Sequence, residues 1–304
     1  MDNSCKQLLP IRPAGSYFFD STVAMGTSPE IIKPSFKVGT IFKDGSKVSW
    51  HMLADVANFH LIKKLLKGEE GGCSFDIGAN QGFYTYFLAS LGMEVYSFEI
   101  NEANFKALQH GQEFNQKEVS KRVHLYPVGL GDKNQRFDVN GDSYEGFLRD
   151  SKRGTILGVT LDCFAFHAYR DLDFSRINFV KLDVEGFEIA VLKGAQNSLF
   201  RYSNLKGLLV EVGPNRWDRA SVSFDTGLEE MRRLASRFKL SYILLREKDH
   251  AATCPINLKL KILGDTKPQV FHGVQMHEIA LEEWEPLLTK MNSNKFDCNF
   301  FFEN

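Results

Sequence analysis

Asp76, Gly78, Gly82 and Glu99 are residues of the right type at the right spacing to hold a nucleoside. They fall within CSFDIGANQGFYTYFLASLGMEVYSFEIN, residues 73–101. Glycines at 78 and 82 let a backbone turn pass close to a ligand without a Cβ in the way. A helix starting just after them would point free N–H groups at that ligand. Glu99 lies 99 − 78 = 21 residues beyond the first glycine. That is close to the roughly 20 residues that bring a carboxylate to the hydroxyls of an adenosine ribose. Any ribose with a free 2′-OH suits such an acid, so the glycines must discriminate between cofactors. A pyrophosphate binder carries G-x-G-x-x-G, whereas this turn is D-x-G-x-x-x-G. Asp76 would repel a pyrophosphate but could hold the cationic amino group of an amino acid. The pattern therefore favours S-adenosylmethionine over NAD.

The elements needed to position these groups are legible around them. Residues 73–77 form an apolar strand, 83–91 carry apolar residues at helical spacing, Gly92 stops the helix, and 95–98 are a second strand ending at the acid. Further strands are expected at 122–128, 177–183, 207–212, 240–245 and 299–302, giving seven with 73–77 and 94–99. Helices are expected over 52–66, 188–200 and 227–238, and Asn101 is placed to cap another running from 102 to about 114. Residues 1–50 read as an N-terminal arm (1–30) followed by a hairpin (36–50). Residues 51–304 read as one domain with insertions near 132–158 and 246–298.

Composition excludes several classes. With 37 basic and 38 acidic side chains the net charge is −1, so no global field draws the chain to nucleic acid or an anionic membrane. No window approaches a membrane span, and the first thirty residues lack a signal-peptide core. Five scattered cysteines without a C-x-x-C pair read as reduced, mostly buried thiols and predict a cytoplasmic protein. Cys254, His272 and His277 match no common zinc spacing, so no metal is expected.

Two stretches, FDIGANQGFYTYFLA (75–89) and INFVKLDVEGFEIAVLKGA (177–195), resemble the FkbM-type methyltransferase family over roughly residues 50–215. The second is the sharper, because K-x-D-V-E-G-x-E followed by V-L-K-G-A is not a general nucleotide-fold feature. The resemblance implies a Rossmann-like class I methyltransferase fold, α/β, with a seven-stranded, mostly parallel sheet and a C-terminal antiparallel hairpin. It implies S-adenosyl-L-methionine as cofactor, with Asp76, Gly78, Asn80 and Gly82 around its methionine end and Thr85 near by. Glu99 would take the ribose, and Val128 and Gly129 the adenine. The family's proline after the ribose acid is replaced here by Ile100-Asn101, which alters the local turn.

Catalytic candidates follow the fourth core strand. Asp183 at its tip is the first choice for orienting or deprotonating an acceptor. Glu185 is read equally as a catalytic group or as charge at a helix N-terminus, and Glu188 as the latter. Glu211 either faces the pocket or pairs with Arg216. The expected activity is O-methylation of a hydroxyl on a small molecule, glycan or lipid. A non-catalytic binding module of the same fold and an NAD-dependent oxidoreductase are the alternatives, the latter lacking its glycine signature.

Overall fold

The structure is a computed structural model that describes residues 24–27, 32–40, 55–140, 147–150, 156–168, 173–201, 203–246, 254, 269–271 and 274–304. In chain order the first elements are strands β1 (Ala24–Thr27) and β2 (Lys37–Thr40), helix α1 (Val56–Leu65), β3 (Cys73–Ile77), α2 (Phe83–Ser90), β4 (Glu94–Phe98), α3 (Glu102–Phe114) and β5 (Val123–Tyr126). Then come β6 (Gly129–Leu130), β7 (Gln135–Asn140), β8 (Phe147–Asp150), β9 (Ile156–Val159), β10 (Ile177–Leu182), α4 (Glu188–Lys193), β11 (Gly207–Val212) and α5 (Phe224–Ala235). The chain closes with β12 (Leu240–Arg246), β13 (Gln269–Phe271), β14 (Val274–Glu278), α6 (Trp284–Asn294) and β15 (Cys298–Glu303).

The main sheet has the order β13-β14-β12-β15-β11-β10-β3-β4-β5. Its parallel half, β11-β10-β3-β4-β5, is fully buried at β3 and β10, and so those strands read as unbroken apolar runs. β15 enters antiparallel between β11 and β12. The expected α/β class and mostly parallel sheet are present, with nine strands rather than seven. The two extra strands, β13 and β14, come from residues expected to be insertion, and α6 lies there too. The 132–158 region holds β7, paired antiparallel with β8, and β9; with β6 they make a separate four-stranded sheet.

Helices cover both faces. Phe75, Phe98, Val180, Leu208 and Phe300 share one apolar cluster with Ile189 of α4, Met231 of α5 and Trp284 of α6. Phe179, Leu209, Val95 and Phe301 share the other with Phe59 of α1, Phe87 of α2 and Leu108 of α3. Ile32, Phe36 and Val38 belong to this second cluster, so the segment leading into β2 packs into the core. β2 pairs with β1; the strand expected at 47–50 lies outside the described residues. Asn101 caps α3 as expected, its Oδ1 accepting from Asn104 N at 3.1 Å.

One expectation is overturned. Cys254 and Cys298 form a disulfide across 44 residues, so the cysteines are not all reduced. Cys298 lies on β15 and its partner is 44 residues away, a pairing that no local spacing reveals. Cys73 is free and buried.

Candidate functional site

The tips of β3, β4 and β10 converge at the carboxyl edge of the sheet. Gly78 N and Ala79 N both donate to Phe98 O at 2.9 Å, and Asp183 N donates to Ile77 O at 2.9 Å. Gly78 has φ +81°, and a Cβ there would fall 1.7 Å from the Asp183 carbonyl oxygen. The turn after β3 can lie against β10 only with glycine at this position. Its glycine is thus required by the neighbouring backbone, whatever ligand lies above. Gly82, φ +93°, is required by packing as well: a Cβ would run into the side chains of Leu108 and Tyr86.

Glu99 stands just past β4 and is 7% exposed. Its Oε2 accepts from Asn80 N and its Oε1 from Asn101 N, both at 2.7 Å. Burial pushes its pKa up to about 7, against the pull of those backbone amides. A carboxylate oxygen has two lone pairs, so each oxygen keeps one free for a pair of neighbouring hydroxyls. Asn80 has a left-handed backbone, φ 51°, and its buried Oδ1 accepts no hydrogen bond from any described residue.

Gly78, Asn80, Glu99, Val128, Gly129, Asp183 and Glu185 all line one cleft, together with Ile77, Phe98, Ile100, Leu130 and Val184. Its central cavity is about 70 Å³. A full ligand pocket is roughly 300 Å³ or more, so the described residues enclose only part of a nucleoside-sized molecule.

Three of the expected residues are not in the lining. Asp76 is 1% exposed and turned toward α2, where Thr85 Oγ1 donates to its Oδ2 at 2.6 Å and also lies 2.8 Å from Ser97 Oγ. Burial raises its pKa, with Lys181 and Thr85 opposing. Asp76 and Thr85 therefore form a sealed polar contact beneath the turn, and Gly82 sits at the head of α2.

On β10 the sequence reading passed over Lys181. It is in register with Asp76, and its Nζ pairs with Asp183 Oδ2 at 2.7 Å. The ammonium also lies 5.1 Å from the centre of the Tyr84 ring, whose hydroxyl accepts from Asn58 of α1 at 2.8 Å. Burial pulls the Lys181 pKa down, but Asp183 and Asp76 outweigh it and raise the pKa. A lysine within a strand buried on both faces was the signal available, since an unpaired ammonium there would be too costly.

Glu185, also left-handed at φ 54°, is committed to cations. It pairs with Arg216, lies 3.7 Å from Arg219 Nη1, and its carbonyl accepts from that same nitrogen at 2.8 Å. Arg216 also pairs with Asp297. Glu211, expected either to face the pocket or to pair with Arg216, has no ion pair or hydrogen bond from its carboxyl among the described residues. Glu188 opens α4 as expected, but it is 2% exposed and accepts from Gly186 N at 2.7 Å. Burial raises its pKa to about 8, so near neutral pH it serves as a buried hydrogen-bonding group more than as helix-end charge. Among the described residues no group of His, Cys, Asp and Glu could hold a metal ion, and no helix is long and apolar enough to cross a membrane.

Several solved structures are similar. A precorrin-6y C5,15-methyltransferase from Geobacter metallireducens GS-15 is 10% identical, with 80% of this chain and 86% of that one covered at a TM-score of 0.37. The methyltransferase domain of bacterial CtHen1-CN is 12% identical over 82% and 99%, TM-score 0.37. The glycopeptide N-methyltransferase MtfA, complexed with S-adenosyl-L-methionine, is 15% identical over 52% and 54%, TM-score 0.30. No curated protein matches the chain. Residues 76–238, more than half of the 304, match the model of the methyltransferase FkbM domain, and by that match the chain belongs to the FkbM family of methyltransferases.

Proposed function

We propose that this methyltransferase uses S-adenosylmethionine and methylates a hydroxyl. The observation that carries the cofactor reading is the Glu99 carboxylate, fixed by two backbone amides in a cleft that also holds Asn80. Its free lone pairs suit the two ribose hydroxyls, the unengaged Asn80 Oδ1 offers an acceptor, and the apolar Val128 and Phe98 offer walls for a base. The cofactor supplies, when bound, a methyl group already activated on a sulfonium. What remains for the chain is to hold, orient and exclude water. Glu99 and Asn80 hold; Gly78 keeps the turn low against β10. Asp76 and Thr85 support the cleft from beneath rather than line it. Asp183, at the cleft wall and anchored by Lys181, accepts a hydrogen bond from the acceptor hydroxyl and orients its oxygen. Glu185 fixes the chain just beyond, through Arg216 and Arg219, and is a positioning residue.

The acceptor is a hydroxyl on a small molecule, glycan or lipid. Cytoplasmic placement loses its support from the cysteines, since a disulfide persists in oxidising compartments. As to organisation, the described parts of residues 51–304 form the methyltransferase domain, and Ile32, Phe36 and Val38 pack onto it. Calorimetry tests the cofactor reading: S-adenosylhomocysteine should bind the wild-type protein and NAD should bind far more weakly. Equal affinity for NAD would overturn it.

A further inference from the structure

Beside Asp183 stands a second carboxyl that the mechanism has not used. β10 and β11 are parallel, with Lys181 opposite Leu209 and Leu182 opposite Val210. The next pair in that register is Asp183 and Glu211. Side chains two apart on a strand share a face, as do neighbours across a parallel pair. Asp76, Lys181, Asp183 and Glu211 therefore stand on the α1/α2 side of the sheet. In this group three carboxyls surround one cation. Lys181 is committed to Asp183, and Arg216 to Glu185 and Asp297, so no described cation is paired with Glu211. On β15 the residue opposite Glu211 is the neutral Asn299.

We propose that Glu211 and Asp183 share one proton at the acceptor end of the cleft, making Glu211 the positioning residue that sets how much negative charge Asp183 presents to the methyl donor and its acceptor. The inference rests on the methyl-donor reading of the cleft. The charges facing Glu211 are Asp183 and Lys181 on β10, Glu185 on the following turn, Asp55 just before α1, and Arg216 beyond β11. Of these the negative Asp183 does most to keep Glu211 protonated, burial adds to it, and Lys181 opposes. A proton arriving on Asp183 from an acceptor hydroxyl is matched by release of the Glu211 proton to solvent. The pair then returns to holding one proton.

The test needs no acceptor. S-adenosylmethionine and S-adenosylhomocysteine differ by one methyl and one positive charge, so the ratio of their dissociation constants reads the charge that the methyl meets. Glu99 and Glu188 also ionise as pH rises and act on the sulfonium charge, so the Glu211 contribution is read as the difference between wild type and Glu211→Gln. The ratio, measured by calorimetry as pH is raised from acid to alkali, should shift toward the sulfonium by about three- to tenfold as Glu211 ionises. Glu211→Gln should lack the Glu211 part of that shift, its ratio changing by about threefold less than that of the wild type over the same range. A wild-type ratio independent of pH, or a pH dependence of equal size in wild type and Glu211→Gln, overturns the proposal. If neither ligand binds, the methyl-donor reading falls instead. The pair is then still read by carbon NMR of labelled carboxyls. Glu211 should titrate late in the wild type and return toward an ordinary glutamate in Asp183→Asn. Ordinary titration in the wild type overturns proton sharing on its own.

Discussion

The two flanks of the carboxyl edge solve the same electrostatic problem by different means. On the β4 flank, Glu99 is balanced by backbone amides of Asn80 and Asn101, donors that cannot move without unfolding the turn. On the β10 and β11 flank, Asp183 is balanced by the ammonium of Lys181, and Glu185 by Arg216 and Arg219. Fixed dipoles make a carboxylate a rigid acceptor of hydroxyl hydrogen bonds, which suits recognition. A carboxylate set among other titrating side chains has a charge that depends on theirs, which suits proton traffic. Under the proposed function, the difference would divide labour along one edge, with cofactor binding on one side and acceptor chemistry on the other.

The sharpest break comes from removing Lys181. Lys181→Met keeps length and apolar fit but leaves Asp76 and Asp183 without their shared cation. Breaking a buried pair by deleting one partner costs about 3–5 kcal/mol. Urea denaturation at neutral pH should show a loss of that size. The loss should shrink in acid, where the carboxyls are protonated. A variant as stable as wild type would mean that the β10 flank does not depend on its cation.

Glu99→Ala tests the other flank with a smaller effect. It removes acceptors for two charge-assisted hydrogen bonds, each about 1.5–3 kcal/mol before water compensates. S-adenosylhomocysteine affinity should fall at least tenfold while the fold persists, with a modest drop in melting temperature because the fixed amides at 80 and 101 lose their acceptor. An unchanged dissociation constant would remove Glu99 from the binding flank.

How legible the two flanks were in sequence differs for the same physical reason. The β4 flank is built from residues close in sequence, a glycine turn and an acid about one strand-helix-strand unit later, so spacing carries the geometry. The buried strands were legible too, as continuous apolar runs such as INFVKL. The β10 flank depends on partners far apart: Glu185 with arginines 31 and 34 residues on, Asp297 beyond them, and Cys298 with Cys254. Pattern within a window cannot reach these. Nor could it tell that Asp76 turns toward α2, because the face a strand residue takes is fixed by register with β10 rather than by its own neighbours. β14, VQMHE, was missed because it mixes polar side chains into a short strand near the sheet edge.

Glu188 offers the smallest effect and separates burial from charge balance, since it lies behind the β10 flank yet is held by a backbone amide in the manner of Glu99. Its pKa in the folded protein is about 8 against a usual 4.5. Because the folded value is the higher, the folded state binds more protons between these limits, so this group's stabilisation is full in acid and declines as pH rises through the window. For one group the slope is at most about 1.4 kcal/mol per pH unit. Glu99 contributes a slope of the same sign that ends sooner, near its own value of about 7. Glu188→Gln cannot ionise and keeps an oxygen for Gly186 N. Near pH 5 it should match wild type to within about 0.5 kcal/mol. Above pH 8 it should be the more stable of the two, and the difference should stop growing there. Denaturant midpoints taken across that range read the comparison directly. A constant offset with no pH dependence would mean that Glu188 is solvated enough to ionise freely, and that the amide of Gly186, not burial, sets its behaviour.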